Sequence, residues 1–324
     1  MCAIFGICDY NKKLNVFERH NIIRTLSKEC EVRGTDATGI SYVCHDGLHV
    51  YKKAVKASKF NFFLPYESRM VIGHTRMTTK GKESKNYNNH PFFGSTSKGR
   101  FALAHNGVIY NDEILRKELK LPETFIETDS YIAVQLLEHY GEISFNNIAK
   151  MAETVSGSFC FSILTDKNEL YLVKGSNPLA IYDCGGYYLY ASTSDILDKT
   201  LKKLNISKKK TINIDPGEIL KISADGTIQR SNFDFMDDYI SYKYKNYYSD
   251  FDYYDDDIDE EELENLIMYA NWFGIEEDDV MMLLDMGYCT MDIEELFYDI
   301  EELKTIRSEC KETLVYDQEV ENIW

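Results

Sequence analysis

Cys2 follows the initiator methionine directly and precedes the apolar run Ala3-Ile4-Phe5-Gly6-Ile7. Removal of Met1 would leave one residue with both a thiol and a free α-amine of pKa about 7.7–8.0, a nucleophile with its own base. Three further places hold groups that could serve such a nucleophile. Arg76 ends the apolar stretch Met70–Thr75, an expensive position for a guanidinium without an anionic partner. Asn106-Gly107 follows the strand-like Phe101–Ala104. A side-chain amide and a backbone N–H aimed the same way form an oxyanion hole, although Asn-Gly also serves as a hairpin turn. Asp129 lies in Glu127-Thr128-Asp129-Ser130, where capping of a helix is the plain alternative.

The elements that must carry these residues alternate between periods of two and of 3.6. Strands are expected at Ile4–Cys8, Ile40–Cys44, His49–Lys53, Met70–Arg76 and Phe101–Ala104, with a helix from about Arg19 to Val32. Helices at Asp112–Leu119 (capped by Asn111), Glu127–Tyr140 and Ser144–Val155 follow, then strands at Ser158–Thr165, Glu169–Lys174, Leu179–Asp183 and Tyr187–Ser192. A helix at Asp195–Leu204 and strands at Ile212–Ile214, Gly217–Ser223 and Thr227–Arg230 complete an α+β region with more than one layer.

Charge divides the chain. Residues 234–324 hold 29 acidic and 5 basic side chains, against 25 and 31 in residues 1–233. This predicts three parts: a domain over 2–233, an acidic Tyr-rich linker over 234–262 and a small acidic helical region over 263–324. So acidic a tail argues against nucleic-acid binding, because it would repel a phosphate backbone. The eight cysteines form no C-x-x-C pair, and there is neither a signal-like segment nor an apolar run near the ~18 residues of a membrane span. A cytoplasmic protein without membrane contact is expected. His45, His49, His74, His90 and His105 suggest no metal site, and no phosphate-cradling glycine loop is present, so no cofactor is expected.

The motifs fall into a familiar order: Cys2 with Phe5-Gly6, Arg33-Gly34-x-Asp36, Gly73-His74-Thr75-Arg76, Asn89-His90-Pro91, His105-Asn106-Gly107, Glu127-Thr128-Asp129, Gly157-Ser158-Phe159 and Ala191-Ser192-Thr193-Ser194-Asp195. Together they resemble the glutaminase domain of class II glutamine amidotransferases, over roughly residues 2–225. The resemblance implies a four-layer αββα N-terminal-nucleophile hydrolase sandwich, followed here by the acidic α-helical region. It implies that Cys2 attacks the carboxamide of L-glutamine, that Asn106 and the Gly107 N–H hold the oxyanion, that Arg76 clamps the α-carboxylate and that Asp129 takes the α-ammonium. Arg33 would sit behind Cys2.

Two departures fall in the loop that closes over glutamine, where the family's aromatic residue and histidine are Met77 and Lys80. With no acceptor motif in the sequence, the ammonia is expected to pass to an enzyme or synthase subunit on a partner chain. The alternatives are an amidase for another amide, and a glutamine-binding or interaction module acting through its tail. In that tail, Met286-Gly287-Tyr288 faintly resembles the loop of a ubiquitin-associated-type three-helix domain.

Overall fold

In the computed structural model the described residues are 2–235, 260–285, 288, 290–297, 303–304 and 306–307. They belong to two compact units, Met1–Ser249 and Asp250–Trp324. Most of the expected linker, and the Met286-Gly287 pair, lie outside the described residues.

The first unit is built on two antiparallel sheets. Seven strands form one: β1 (Ala3–Cys8), β2 (Ala37–Cys44), β3 (Gly47–Lys53), β4 (Met70–Arg76), β9 (Ala180–Asp183), β10 (Tyr188–Ala191) and β11 (Lys210–Thr211), in the order β11-β9-β10-β1-β4-β2-β3. The other has six: β5 (Phe92–Thr96), β6 (Gly99–Ile109), β7 (Gly157–Thr165), β8 (Leu170–Lys174), β12 (Glu218–Ile222) and β13 (Ile228–Asn232), in the order β13-β12-β8-β7-β6-β5.

Strand alternation sorts each side chain to one face. On β1, Ala3, Phe5 and Ile7 join the core beneath helices α1 (Val16–Glu29) and α5 (Ser194–Leu204), with Ile23, Leu26 and Leu197. The alternate residues Ile4 and Cys8 face the other way, into the core between the sheets with Ile72 of β4, Ala102 and Ala104 of β6, and Cys160 of β7. The outer face of the six-stranded sheet packs Phe159, Phe161 and Ile163 against α3 (Tyr131–Tyr140) and α4 (Phe145–Thr154). Helix, sheet, sheet and helix therefore follow one another across the unit.

Several boundaries differ from the sequence reading, each for a local reason. α1 starts at Val16 because Asn15 and Glu18 form a reciprocal capping box, Asn15 accepting from the Glu18 N–H and Glu18 from the Asn15 N–H. Asn106-Gly107 is no hairpin turn: β6 runs through it to Ile109, paired along its length with β7. Asn111 does precede α2 (Asp112–Glu118), but its side chain bonds the Ser156 N–H and the Thr154 carbonyl instead of capping the helix. β5 was not expected, and the strand expected at Ile212–Ile214 does not form, the chain pairing with β9 just before it as the two-residue β11.

In the second unit the described helices are α6 (Glu260–Trp272), α7 (Glu277–Asp285) and α8 (Thr290–Leu296). Leu266, Ala270, Val280, Leu283, Ile293 and Phe297 form a core of their own. No helix among the described residues is long and apolar enough to cross a membrane.

Candidate active site

Parity brings three of the singled-out side chains to one place. On β4 the residues facing the other sheet are Met70, Ile72 and, two and four steps on, His74 and Arg76. On β6 they are Ala102, Ala104 and then Asn106. Cys2 shares the parity of Ile4, and the β1–β4 register, Ile4 with His74 and Ala3 with Thr75, puts it opposite Arg76 one step further. β1 and β4 pack on β6 across the interior, so these residues gather at one end of the inter-sheet core.

Cys2 is held through its backbone and its sulfur. The Arg33 Nε donates to the Cys2 carbonyl at 2.9 Å, and Sγ lies 3.4 Å from both the Met77 N–H and the Met77 carbonyl. Burial raises the thiol pKa, the Met77 N–H and the Arg76 charge work to lower it, and Asp129 works to raise it. A side chain at Gly34 would collide with the Arg76–Met77 peptide, the Cβ coming within 2.6 Å of the Arg76 carbonyl carbon. The turn before β2 and the loop after β4 thus close on each other, and Asp36 ties them further by accepting from the Thr78 N–H at 2.7 Å.

Arg76 is buried, and its hydrogen bonds all go to uncharged oxygens: Asn89 Oδ1 at 2.8 Å and the carbonyls of Lys80 and Gly81 at 2.6 and 2.7 Å. A carboxylate partner was the plain alternative from sequence, and no such bond forms among the described residues. Burial lowers the Arg76 pKa, whereas Cys2, Asp129, Asp36 and Glu83 act to raise it. A guanidinium has five N–H donors, so three bonds leave room for a planar anion.

Asn106 is buried, and its Nδ2 has no acceptor among the described residues. Its backbone carbonyl takes the Asn177 amide at 2.9 Å. Gly107 next to it has φ +142°, and a Cβ there would lie 1.9 Å from the Ser158 carbonyl oxygen, so only glycine fits. Asp129 does not cap α3, whose first residue is preceded by Ser130 without a capping bond. Instead its Oδ2 accepts the Ile109 N–H at the end of β6, at 2.7 Å.

The loop residues go elsewhere. Met77 meets Cys2 through its backbone. Lys80 turns its Nζ to Asp112 and Glu113 on α2 and offers Arg76 only its carbonyl. Sequence reasoning quoted Asn89 and Asp36 inside motifs but gave neither a role, and it passed over Lys52. Lys52 Nζ donates to the Asn89 and Pro91 carbonyls, the latter at 3.1 Å, and burial together with the nearby Arg76 charge lowers its pKa to about 7. A pair of asparagines ahead of His-Pro was the readable signal.

The histidines join the sheets. His74 Nε2 lies 2.9 Å from the His105 carbonyl and therefore donates, while His90 Nδ1 accepts the His105 N–H at 3.3 Å. Burial lowers the pKa of all three, that of His74 to about 3, so they stay neutral. Away from this site, on the β2–β3 hairpin, Cys44, Asp46 and His49 place ligand-type atoms within 4.8 Å of one another. There Asp46 Oδ1 is the common partner of Cys44 Sγ and His49 Nε2, each at 2.8 Å, as in an ordinary turn network.

Residues 74–199 match the family described as a glutamine amidotransferase domain. Over 238 residues the chain is 29% identical to glutamine–fructose-6-phosphate aminotransferase (isomerizing) of Staphylococcus aureus, covering 70% of this chain and 38% of that protein. The Staphylococcus epidermidis protein of the same name is 32% identical over 202 residues, or 59% and 32% of the two chains. The chain thus spans less than half the length of these curated relatives. In fold it is similar to the glutamine phosphoribosylpyrophosphate amidotransferase of B. subtilis, with TM-score 0.57 and 20% identity over 72% of this chain and 50% of that one.

The chain carries a class II glutamine amidotransferase domain.

Within this amidotransferase domain the family match begins at His74, in β4, and ends inside α5. It therefore takes in Arg76, Asn106, Gly107 and Asp129. Cys2 and Arg33 lie ahead of it.

Proposed function

We propose that the amidotransferase domain hydrolyses L-glutamine to L-glutamate and ammonia through a γ-glutamyl thioester on Cys2, once Met1 has been removed. The observation that carries this reading is the buried Asn106 Nδ2, without an acceptor among the described residues, on the inter-sheet face to which Cys2 also belongs. An unsatisfied buried donor costs about 1–3 kcal/mol, and an oxyanion that appears only during reaction would satisfy it.

The steps follow from the groups in place. The α-amine of Cys2 takes the thiol proton as sulfur attacks the carboxamide carbon, and Asn106 with the Gly107 N–H holds the resulting oxyanion. The same amine returns the proton to nitrogen as ammonia leaves, and water then cleaves the thioester. Arg76, buried with only neutral partners, takes the α-carboxylate. Asp129 takes the α-ammonium. Arg33 fixes the backbone beneath the sulfur. The ammonia passes to an acceptor enzyme on a partner chain, a reading consistent with a match confined to 38% of the first relative.

Intact-mass measurement with and without 6-diazo-5-oxo-norleucine tests the chemistry. The expected result is loss of Met1 plus a single adduct that maps to Cys2 and is absent from Cys2→Ala. Retention of Met1, or no adduct on the processed protein, overturns it.

A further inference from the structure

Lys80 occupies a position where the resemblance leads one to expect a histidine, and its side chain leaves the site. Nζ lies 3.2 and 3.4 Å from the two oxygens of Asp112 and 3.3 Å from Glu113. Burial works against the ammonium, but the bonds and charges of these two carboxylates outweigh it and raise its pKa. Asp112 is buried, its side chain only 3% exposed, and a carboxylate there must be paired. Its second partner is Arg116, one turn along α2, with Nη1 2.6 Å from Oδ2. Arg116 continues to Gln135 of α3 at 3.0 Å and to the Thr128 carbonyl at 3.4 Å, immediately before Asp129.

These contacts form one chain between two parts of the site. At one end the Lys80 and Gly81 carbonyls hold the Arg76 guanidinium. At the other, Arg116 holds the residue next to Asp129. Arg76 and Asp129 are the two groups assigned to the α-carboxylate and the α-ammonium.

We propose that Lys80, Asp112 and Arg116 form a brace that sets the spacing between the Arg76 loop and the Asp129 segment, and so sets affinity for the amino-acid end of the substrate. This rests on the proposed function for its ligand, but the brace itself is a statement about the loop. Lys80 is a positioning residue that acts through its own carbonyl and through Asp112. Asp112 keeps Arg116 when Lys80 is lost, so the fold survives the substitution. What is released is the turn around Lys80 and Gly81, the loop staying tied at Thr78 by Asp36 and at Asn88 by Glu127.

The test uses the full chain with its processed N-terminus and compares wild type, Lys80→Ala, Lys80→Arg and Asp112→Asn. Lys80→Ala is expected to raise KM for glutamine roughly fivefold, the upper range for a partly exposed ion pair, with a smaller change in kcat. Trypsin is expected to cut it several times faster at Lys82 and Lys85, and Lys80→Arg to restore both readings. In the wild type, salt is expected to raise KM by screening the pair, an effect absent from Lys80→Ala. Unchanged KM and unchanged cleavage in Lys80→Ala overturn the brace, even if the buried Asp112→Asn misfolds. If the wild type turns over no glutamine, the proposed function fails. The cleavage rates then still decide the brace, faster cutting of Lys80→Ala upholding it and equal cutting overturning it.

Discussion

Cys2, Arg76 and Asn106 reach the site by strand parity, whereas Asp129, Asn89 and the loop from Met77 to Asn89 are placed by side-chain hydrogen bonds. The first group inherits its geometry from two sheets whose core is closed by Ile4, Ile72, Ala102 and Ala104. The second depends on individual polar contacts: Asn89 with Arg76, Asn88 with Glu127 at 2.8 Å, Asp36 with Thr78. A wall made of ladder bonds and packing shifts as a unit. One made of single side-chain bonds can be loosened at any link. Under the proposed function the strand wall bears the reacting groups Cys2 and Asn106, while Arg76, strand-borne but held by the loop, serves with the loop wall in capture of the substrate.

Substitutions can break this division. The largest effect is expected from Asn106→Ala, which removes a strand-borne donor: kcat should fall by about 10²–10³ with little change in KM. Steady-state kinetics check it, and a rise in KM alone would place Asn106 outside the reacting centre. Asn89→Ala removes a loop link and leaves one Arg76 N–H without its acceptor. A rise in KM of about tenfold is expected, for loss of a bond to a charged group, with kcat nearly intact. If kcat falls as far as in Asn106→Ala, the two walls are not functionally distinct.

Acid gives the smallest expected effect near neutrality. His74 binds its proton only near pH 3 when folded, against 6.5 when free, so the unfolded state takes up the proton first. Stability is then full above about pH 6.5 and falls as pH drops toward 3, by about 1.4 kcal/mol per pH unit once well below 6.5. Denaturant melts at stepped pH measure this. A midpoint flat between pH 6 and 4 would mean that the imidazoles joining the sheets are not held neutral.

The same contrast explains what was legible in the sequence. Apolar runs gave nearly every strand, but the parity that gathers Arg76 and Asn106 on one face did not follow from them, because the strand at Phe101–Ala104 was expected to end before Asn106, whereas β6 runs on to Ile109. Asn106-Gly107 was ambiguous, because a glycine at positive φ serves a turn and a strand interior equally well. Only the pairing with β7 decides between them. Asp129 looked like a cap because capping is a local rule, whereas its actual partner, the Ile109 N–H, is 20 residues away. Lys80 had an evident departure from the family pattern but no evident destination, since Asp112 lies on a different element. Polar links between loops carry no periodicity and leave no pattern to read.

The position of β1 has a consequence for biosynthesis. It lies in the middle of its sheet, and the Ser192 hydroxyl that accepts the Ile4 N–H comes 188 residues later in the chain. Until that segment is made, β1 lacks one of its two neighbours, so the centre of the sheet cannot close before most of the domain has been synthesised. A chain truncated ahead of Ser192 would keep its thiol but lose the sheet centre that holds it.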